Sequence, residues 1–217
     1  MTRKPEVPRG PKLLLSEGKD EQYLLPELLE LAGVPWPKPP PVFIHQTDGV
    51  ATLLDLDTVE AIYKEPDRTA LGLVVDANGD VAARWNRART MLTAIAPGFP
   101  RELSTLGIIH QEPAGPRLGL WLMPDNERAG MLETLLLAIR KDDPPVWTHV
   151  TAAVVEAKRV GAPFRDAHRD KAELHTWLAW QDPPGQALGT AAKAHHFDVA
   201  SPSFAPFVAW FRRLFEV

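Results

Sequence analysis

The sequence predicts an α/β fold, with a mainly parallel sheet flanked by helices and a helical extension at the C-terminal end. Three observations carry this. Short apolar runs, Leu13-Leu14-Leu15, Leu71-Gly72-Leu73-Val74-Val75 and Leu118-Gly119-Leu120-Trp121-Leu122-Met123, read as strands covered on both faces. Segments with helical spacing of apolar residues alternate with such runs as far as Pro145. Beyond Pro145 the pattern is helical almost throughout.

Taken in order, residues 1–11 are polar and proline-containing and read as a loose arm. Residues 12–145 form the α/β core, and 146–217 a helical extension packed on it or covering one sheet face. The first strand ends at Glu17, and a helix follows over 20–31 with Pro26 in its early turns and Gly33 as its stop. Residues 34–41 are a proline-rich, stiff connection. A short strand over 42–45 and a helix over 53–64 come next, then the strand 71–75. Asp80 is placed to cap a helix that Pro97-Gly98 ends. Residues 106–110 and 117–123 flank Pro113-Ala114-Gly115-Pro116 and read as a hairpin. A helix over 130–141 is broken by Asp142-Asp143-Pro144-Pro145, and further helices are expected over 146–160, 166–180, 186–195 and 203–215.

Composition sets bounds on chemistry. The chain has 217 residues, 45% of them hydrophobic, enough for a full core. Its net charge of -4 argues neither for nor against nucleic acid, so any such surface must be a local basic patch. With no cysteine, a metal must be held by oxygen or imidazole. No apolar run is long enough for a membrane span, and the N-terminal stretch has no signal-peptide core, so a soluble cytoplasmic protein is expected.

The functional clue is acidic. The strands that run through Leu15, Val75 and Met123 lead to Glu17, to Asp76-Ala77-Asn78-Gly79-Asp80 and to Pro124-Asp125-Asn126. In open α/β sheets ligands sit outside the carboxyl ends of strands. Magnesium prefers oxygen ligands, and paired-metal phosphodiester chemistry needs several acids converging from different strands. The candidate ligands are Glu17, Glu21, Asp76, Asn78, Asp80, Asp125 and Glu133. Any one of them alone reads first as a helix cap or a solvated residue. Acids at the ends of three buried strands do not. Asp125 reads equally as a turn or helix-cap residue and as a ligand.

Other features are weaker. His168, Lys171 and His175 share one helical face near Arg165 and Arg169. A solvated face is the first reading, and a phosphate-facing one the second. Trp121, Trp177 and Trp180 read mostly as core and less as base-stacking residues, and Phe204, Phe207, Phe211 and Leu214 form a stripe that is core or, less often, a homodimer surface.

Glu17-Gly18-Lys19-Asp20-Glu21 resembles the Glu-Gly-x-x-Glu/Asp opening of Toprim domains, the magnesium-binding modules of topoisomerases, bacterial primases, ribosomal RNA maturases and overcoming-lysogenization-defect (OLD) nucleases. Asp76-Ala77-Asn78 sits where that family has Asp-x-Asp, and Gly130-Met131-Leu132-Glu133 resembles the Gly-x-Leu-Glu motif of the OLD branch. Lys171 resembles that branch's late lysine, and Trp121 to Asn126 with Lys171 to Gln181 look like a small bacterial Toprim-like family. The resemblance spans roughly Leu13 to Gln181.

It implies a Toprim/Rossmann-like sheet and Mg2+ or Mn2+ as cofactor. Glu17 and Glu21 would bind metal, Glu17 doubling as acid/base. Asp76 would be the central ligand, Glu133 would complete a second metal site, and Lys171 would stabilise charge on phosphate. Asp80 would stand in for the missing second aspartate, and Lys19, His168 and His175 would meet the substrate. The function implied is metal-dependent nuclease activity on nucleic acid. Asn78 favours an alternative, a weakened module that binds nucleic acid, nucleotide or a protein partner without cleavage. OLD-type nucleases carry an ATPase domain, whereas Gly18-Lys19 lacks a P-loop context, so an ATPase would have to act in trans.

Overall fold

The computed structural model describes residues 10–141 and 144–217. Most of the expected arm, residues 1–9, and the Asp142-Asp143 part of the expected helix break lie outside the described residues. Within them the chain folds into a five-stranded sheet covered by helices on both faces. The α/β class and the mainly parallel sheet are as the sequence predicts.

The strands are β1 (Lys12–Ser16), β2 (Phe43–Gln46), β3 (Ala70–Asp76), β4 (Ile108–Gln111) and β5 (Arg117–Met123). Their order is β2-β1-β3-β5-β4. The first four in that order are parallel, and β4 closes the edge as an antiparallel hairpin partner of β5. The chain leaves β1 toward β2 on one side and returns to β3 on the other. The sheet therefore reverses its winding between β1 and β3, and that reversal opens a crevice at their carboxyl ends.

Side chains alternate across the sheet with the two-residue strand period. Leu13, Leu15, Leu71, Leu73, Val75, Leu118, Leu120 and Leu122 face one core with α2 (Val50–Leu53), α3 (Leu56–Tyr63) and α4 (Val81–Ile95). Leu14, Val74, Trp121 and Met123 face the other. That side is covered by α1 (Lys19–Leu31), α5 (Leu132–Ala138), α6 (Pro144–Arg159), α7 (Arg169–Ala179), α8 (Leu188–Lys193) and α9 (Ala205–Phe215). A 3₁₀ turn over Asp166–His168 leads into α7.

Some boundaries differ from expectation for local reasons. The helix expected over 53–64 begins at Leu56, where the Asp55 carboxylate accepts from the Thr58 amide and caps α3, and the short α2 precedes it. The helix expected from 130 begins at Leu132, because Gly130 instead pairs its backbone with Asn78 through two 2.7 Å hydrogen bonds. Pro26 lies inside α1, as expected. The aromatic stripe of α9 is core, with Phe204, Phe207, Trp210, Phe211, Leu214 and Phe215 fully buried.

Two glycines seat α9. Gly72 and Gly119 are register partners on β3 and β5. A Cβ on Gly72 would lie 2.9 Å from Leu214 Cδ2, and one on Gly119 2.4 Å from the same atom. The bare backbone pair forms the hollow that Leu214 fills.

Candidate functional site

A cleft of about 500 Å³ opens at the carboxyl ends of β1 and β3, where the winding reverses. Glu17, Asp20, Glu21, Asp76, Asn78, Glu133, His168 and Lys171 line it, together with Gly18, Gly49, Met131 and Leu132. Another cleft of similar size lies at the opposite end of the sheet, around Tyr63, Arg68 and Pro116, and carries no comparable cluster of acids.

Glu17, Glu21, Asp76 and Glu133 each arrive from a different part of the fold. Glu17 follows β1 directly, and its Oε1 accepts from the Asp76 amide at 2.9 Å, tying the ends of β1 and β3 together. Asp76 is the last residue of β3, and its Oδ1 accepts from the Leu132 amide at 3.1 Å. Glu21 comes from the first turn of α1 and Glu133 from the first turn of α5, and both are buried, at 5% and 4% exposure. Lys171 reaches across from α7, its Nζ 2.8 Å from Glu133 Oε1 and 3.9 Å from the Asp20 carboxylate.

Burial and crowding shift the titration of several of these groups. Burial pushes the Glu21 carboxyl up to about 7, with the charges of Glu133, Glu17 and Asp20 adding to it. Burial also lifts Asp76 well above the usual aspartate range, and Glu17, Glu21 and Glu133 add to the rise. Glu17 is raised by burial too, against the Asp76 amide and the positive charges of Arg84 and Arg87, which favour its ionised form. Burial alone would lower the Lys171 ammonium, but the hydrogen bond and charge of Glu133, with Asp20 and Glu21, raise it.

Among the described residues, no three acidic or histidine side chains are set to hold a metal ion as arranged. Glu17 and Asp76 each turn one oxygen to a backbone amide, and Glu133 is held by Lys171. The donor set nevertheless suits a hard divalent cation. It is all oxygen, and excess negative charge is gathered in a low-dielectric crevice with one lysine against it. The residues that could hold such an ion are Glu17, Glu21, Asp76 and Glu133.

The structure thus brings together Glu17, Glu21, Asp76, Glu133, Lys171 and His168, and leaves other sequence candidates outside the cleft lining. Asp80 caps α4, its Oδ1 accepting from the Ala83 amide at 2.9 Å. Asp125 folds back on its own turn. Burial raises its carboxyl, but donors from Arg128 and Glu127 outweigh that and lower it. Lys19 and His175 are exposed and do not line the cleft. His168 belongs to the 3₁₀ turn before α7, and its Nε2 accepts from Arg165 at 2.8 Å. Asn78 lines the cleft with a positive φ of 54°, a conformation asparagine tolerates better than most residues.

Asp20, Arg84 and Arg87 were not legible as site residues. For the arginines the available signal was their three-residue spacing on the helix that follows Asp76.

A family model described as a protein of unknown function, DUF3226, matches residues 11–216. The chain belongs to the DUF3226 family. DUF3226 as a description names neither a Toprim domain nor an activity. A search of curated proteins finds no match. Solved structures similar to this DUF3226 chain include the C-terminal region of the Xanthomonas campestris pv. campestris OLD protein phased with mercury. That likeness has 13% identity and a TM-score of 0.47, covering 95% of this chain and 97% of that one. The same region phased with iodine gives 12% identity and a TM-score of 0.48, covering 95% and 96%.

Proposed function

We propose that this DUF3226 protein is a Toprim-like phosphodiesterase that cleaves nucleic acid with Mg2+ or Mn2+ bound at its carboxylate cluster. The observation that carries the reading is the convergence of Glu17, Glu21, Asp76 and Glu133 at the winding reversal, with Lys171 on Glu133. A bound divalent cation would supply activation of water and neutralisation of phosphate charge. The protein's own part is positional and electrostatic. Asp76, fixed by the Leu132 amide, anchors the centre of the cluster. Glu17, raised by burial, exchanges a proton closer to neutral pH than an exposed glutamate does. Lys171 carries positive charge to the cleft, where it meets negative charge developing on a phosphate. His168 lies at the same rim.

A second reading has its own support. The acids are engaged by backbone amides and Lys171, and Asn78 replaces a carboxylate with a neutral amide. Both favour a module that binds a phosphate-bearing ligand without cutting it.

The test is a cleavage assay on single- and double-stranded DNA and RNA with each metal, comparing wild type with Glu133→Gln and Lys171→Ala. Metal-dependent cleavage reduced at least a hundredfold in both variants is expected. Binding of the same substrates without cleavage, at any metal concentration, supports the second reading and contradicts the first.

A further inference from the structure

We propose that Thr134 and Asp170 form a clamp between α5 and α7 that positions Lys171 on Glu133 and not on Asp20. The functional half of this inference rests on the nuclease reading above. The structural half stands without it.

The geometry is a crossed pair. On α5, Glu133 is followed by Thr134; on α7, Asp170 is followed by Lys171. Lys171 Nζ donates to Glu133 Oε1 at 2.8 Å, and Thr134 Oγ1 donates to Asp170 Oδ2 at 2.5 Å. A hydroxyl has one proton, and an ionised carboxylate only accepts, so the direction of the second bond is fixed. The same Oγ1 accepts from the Met131 amide at 3.0 Å, which closes the first turn of α5. Thr134 is thus held from both sides, and its branched Cβ restricts the rotamer further.

The preceding turn leaves room for this arrangement. Gly130 has φ +150°, and a Cβ there would lie 2.6 Å from Thr134 Oγ1. A side chain at 130 would displace the hydroxyl that makes the clamp.

The clamp matters because Lys171 has a choice. Its side chain is long and nearly half exposed, and the Asp20 carboxylate stands 3.9 Å from its Nζ. Nothing in the lysine itself selects Glu133, a buried acid, over the more exposed Asp20. Fixing the residue before Lys171 to the residue after Glu133 sets the helix register that makes the choice. Thr134 and Asp170 are therefore positioning residues.

The experiment is acylation of the intact, metal-free protein with an amine-reactive acetate ester at one fixed pH, read peptide by peptide by mass spectrometry. Lys19 serves as the internal reference. Thr134→Val, which keeps the shape and removes the hydroxyl, is expected to raise the Lys171 rate at least threefold. Thr134→Ser is expected to return it to within twofold of wild type, and Asp170→Ala, which removes the acceptor, to raise it as Thr134→Val does. An unchanged Lys171 rate in Thr134→Val with an unchanged melting profile overturns the clamp. If Thr134→Val does not fold, Asp170→Ala decides in the same way. In the cleavage assay, Thr134→Val is expected to lower kcat at least tenfold with KM held, and Thr134→Ser to restore it. A loss that serine does not restore overturns the functional half. A wild-type protein that cleaves nothing defeats the nuclease reading, and the acylation rates still decide the clamp.

Discussion

Glu21 shows how the cluster couples to pH. Its carboxyl is raised from 4.5 to about 7, chiefly by burial. The folded state therefore keeps a proton that the unfolded chain gives up near pH 4.5. Between those values the unfolded state binds fewer protons, so stability falls as pH rises, and the decline ends once the folded group also ionises near 7. The expected effect is on the order of 3 kcal/mol lost across this window in wild type through Glu21. Urea denaturation at pH 4.5 and pH 7.5, comparing wild type with Glu21→Gln, measures it. The variant's stability relative to wild type should increase with pH. A difference that does not change with pH would show that Glu21 is not holding a proton in the folded protein. Asp76 and Glu17 are raised in the same direction and add to the wild-type decline, and because the Glu21 charge is one cause of the rise at Asp76, Glu21→Gln eases that rise too and shifts the comparison in the same direction.

At the scale of elements, the helix α9 and the strands β3 and β5 fit each other through Gly72 and Gly119. Because a Cβ on Gly119 would sit 2.4 Å from Leu214 Cδ2 and 3.1 Å from Trp210 Cζ2, Gly119→Ala overpacks a filled core. A cost of about 1–3 kcal/mol is expected, measured by denaturant unfolding. Leu214→Ala in wild type should cost about 2–5 kcal/mol through the cavity it leaves. The same change in the Gly119→Ala background should cost less, because the new methyl group occupies part of the hollow. Additive effects would contradict this account of how α9 is seated.

Over the whole molecule, the sequence made the sheet legible because β1, β3 and β5 are apolar on both faces and lead to acids. Glu17 and Asp76 were legible from their positions at strand ends, and Glu21 and Glu133 from the motifs Glu17-Gly18-Lys19-Asp20-Glu21 and Gly130-Met131-Leu132-Glu133. Asp80 and Asp125 satisfy the same rule of position, yet each is drawn to local amides by cap and turn geometry that residue type alone does not separate from ligation. Lys19 precedes Asp20 in α1 but does not line the cleft, because a helix presents neighbouring residues about 100° apart. Arg84, Arg87 and the Thr134–Asp170 bond depend on how helices distant in sequence meet, which no local pattern encodes.

The central claim is that four carboxylates at the winding reversal form one site for a divalent cation. Calorimetric titration of Mn2+ into wild type, Asp76→Asn and Glu133→Gln at pH 7.5 tests it most directly. The expected result is saturable binding in wild type, with proton release revealed by an enthalpy that varies with buffer, and loss of that binding in both variants. Saturable binding that survives both substitutions, or no binding in wild type up to millimolar metal, would contradict it.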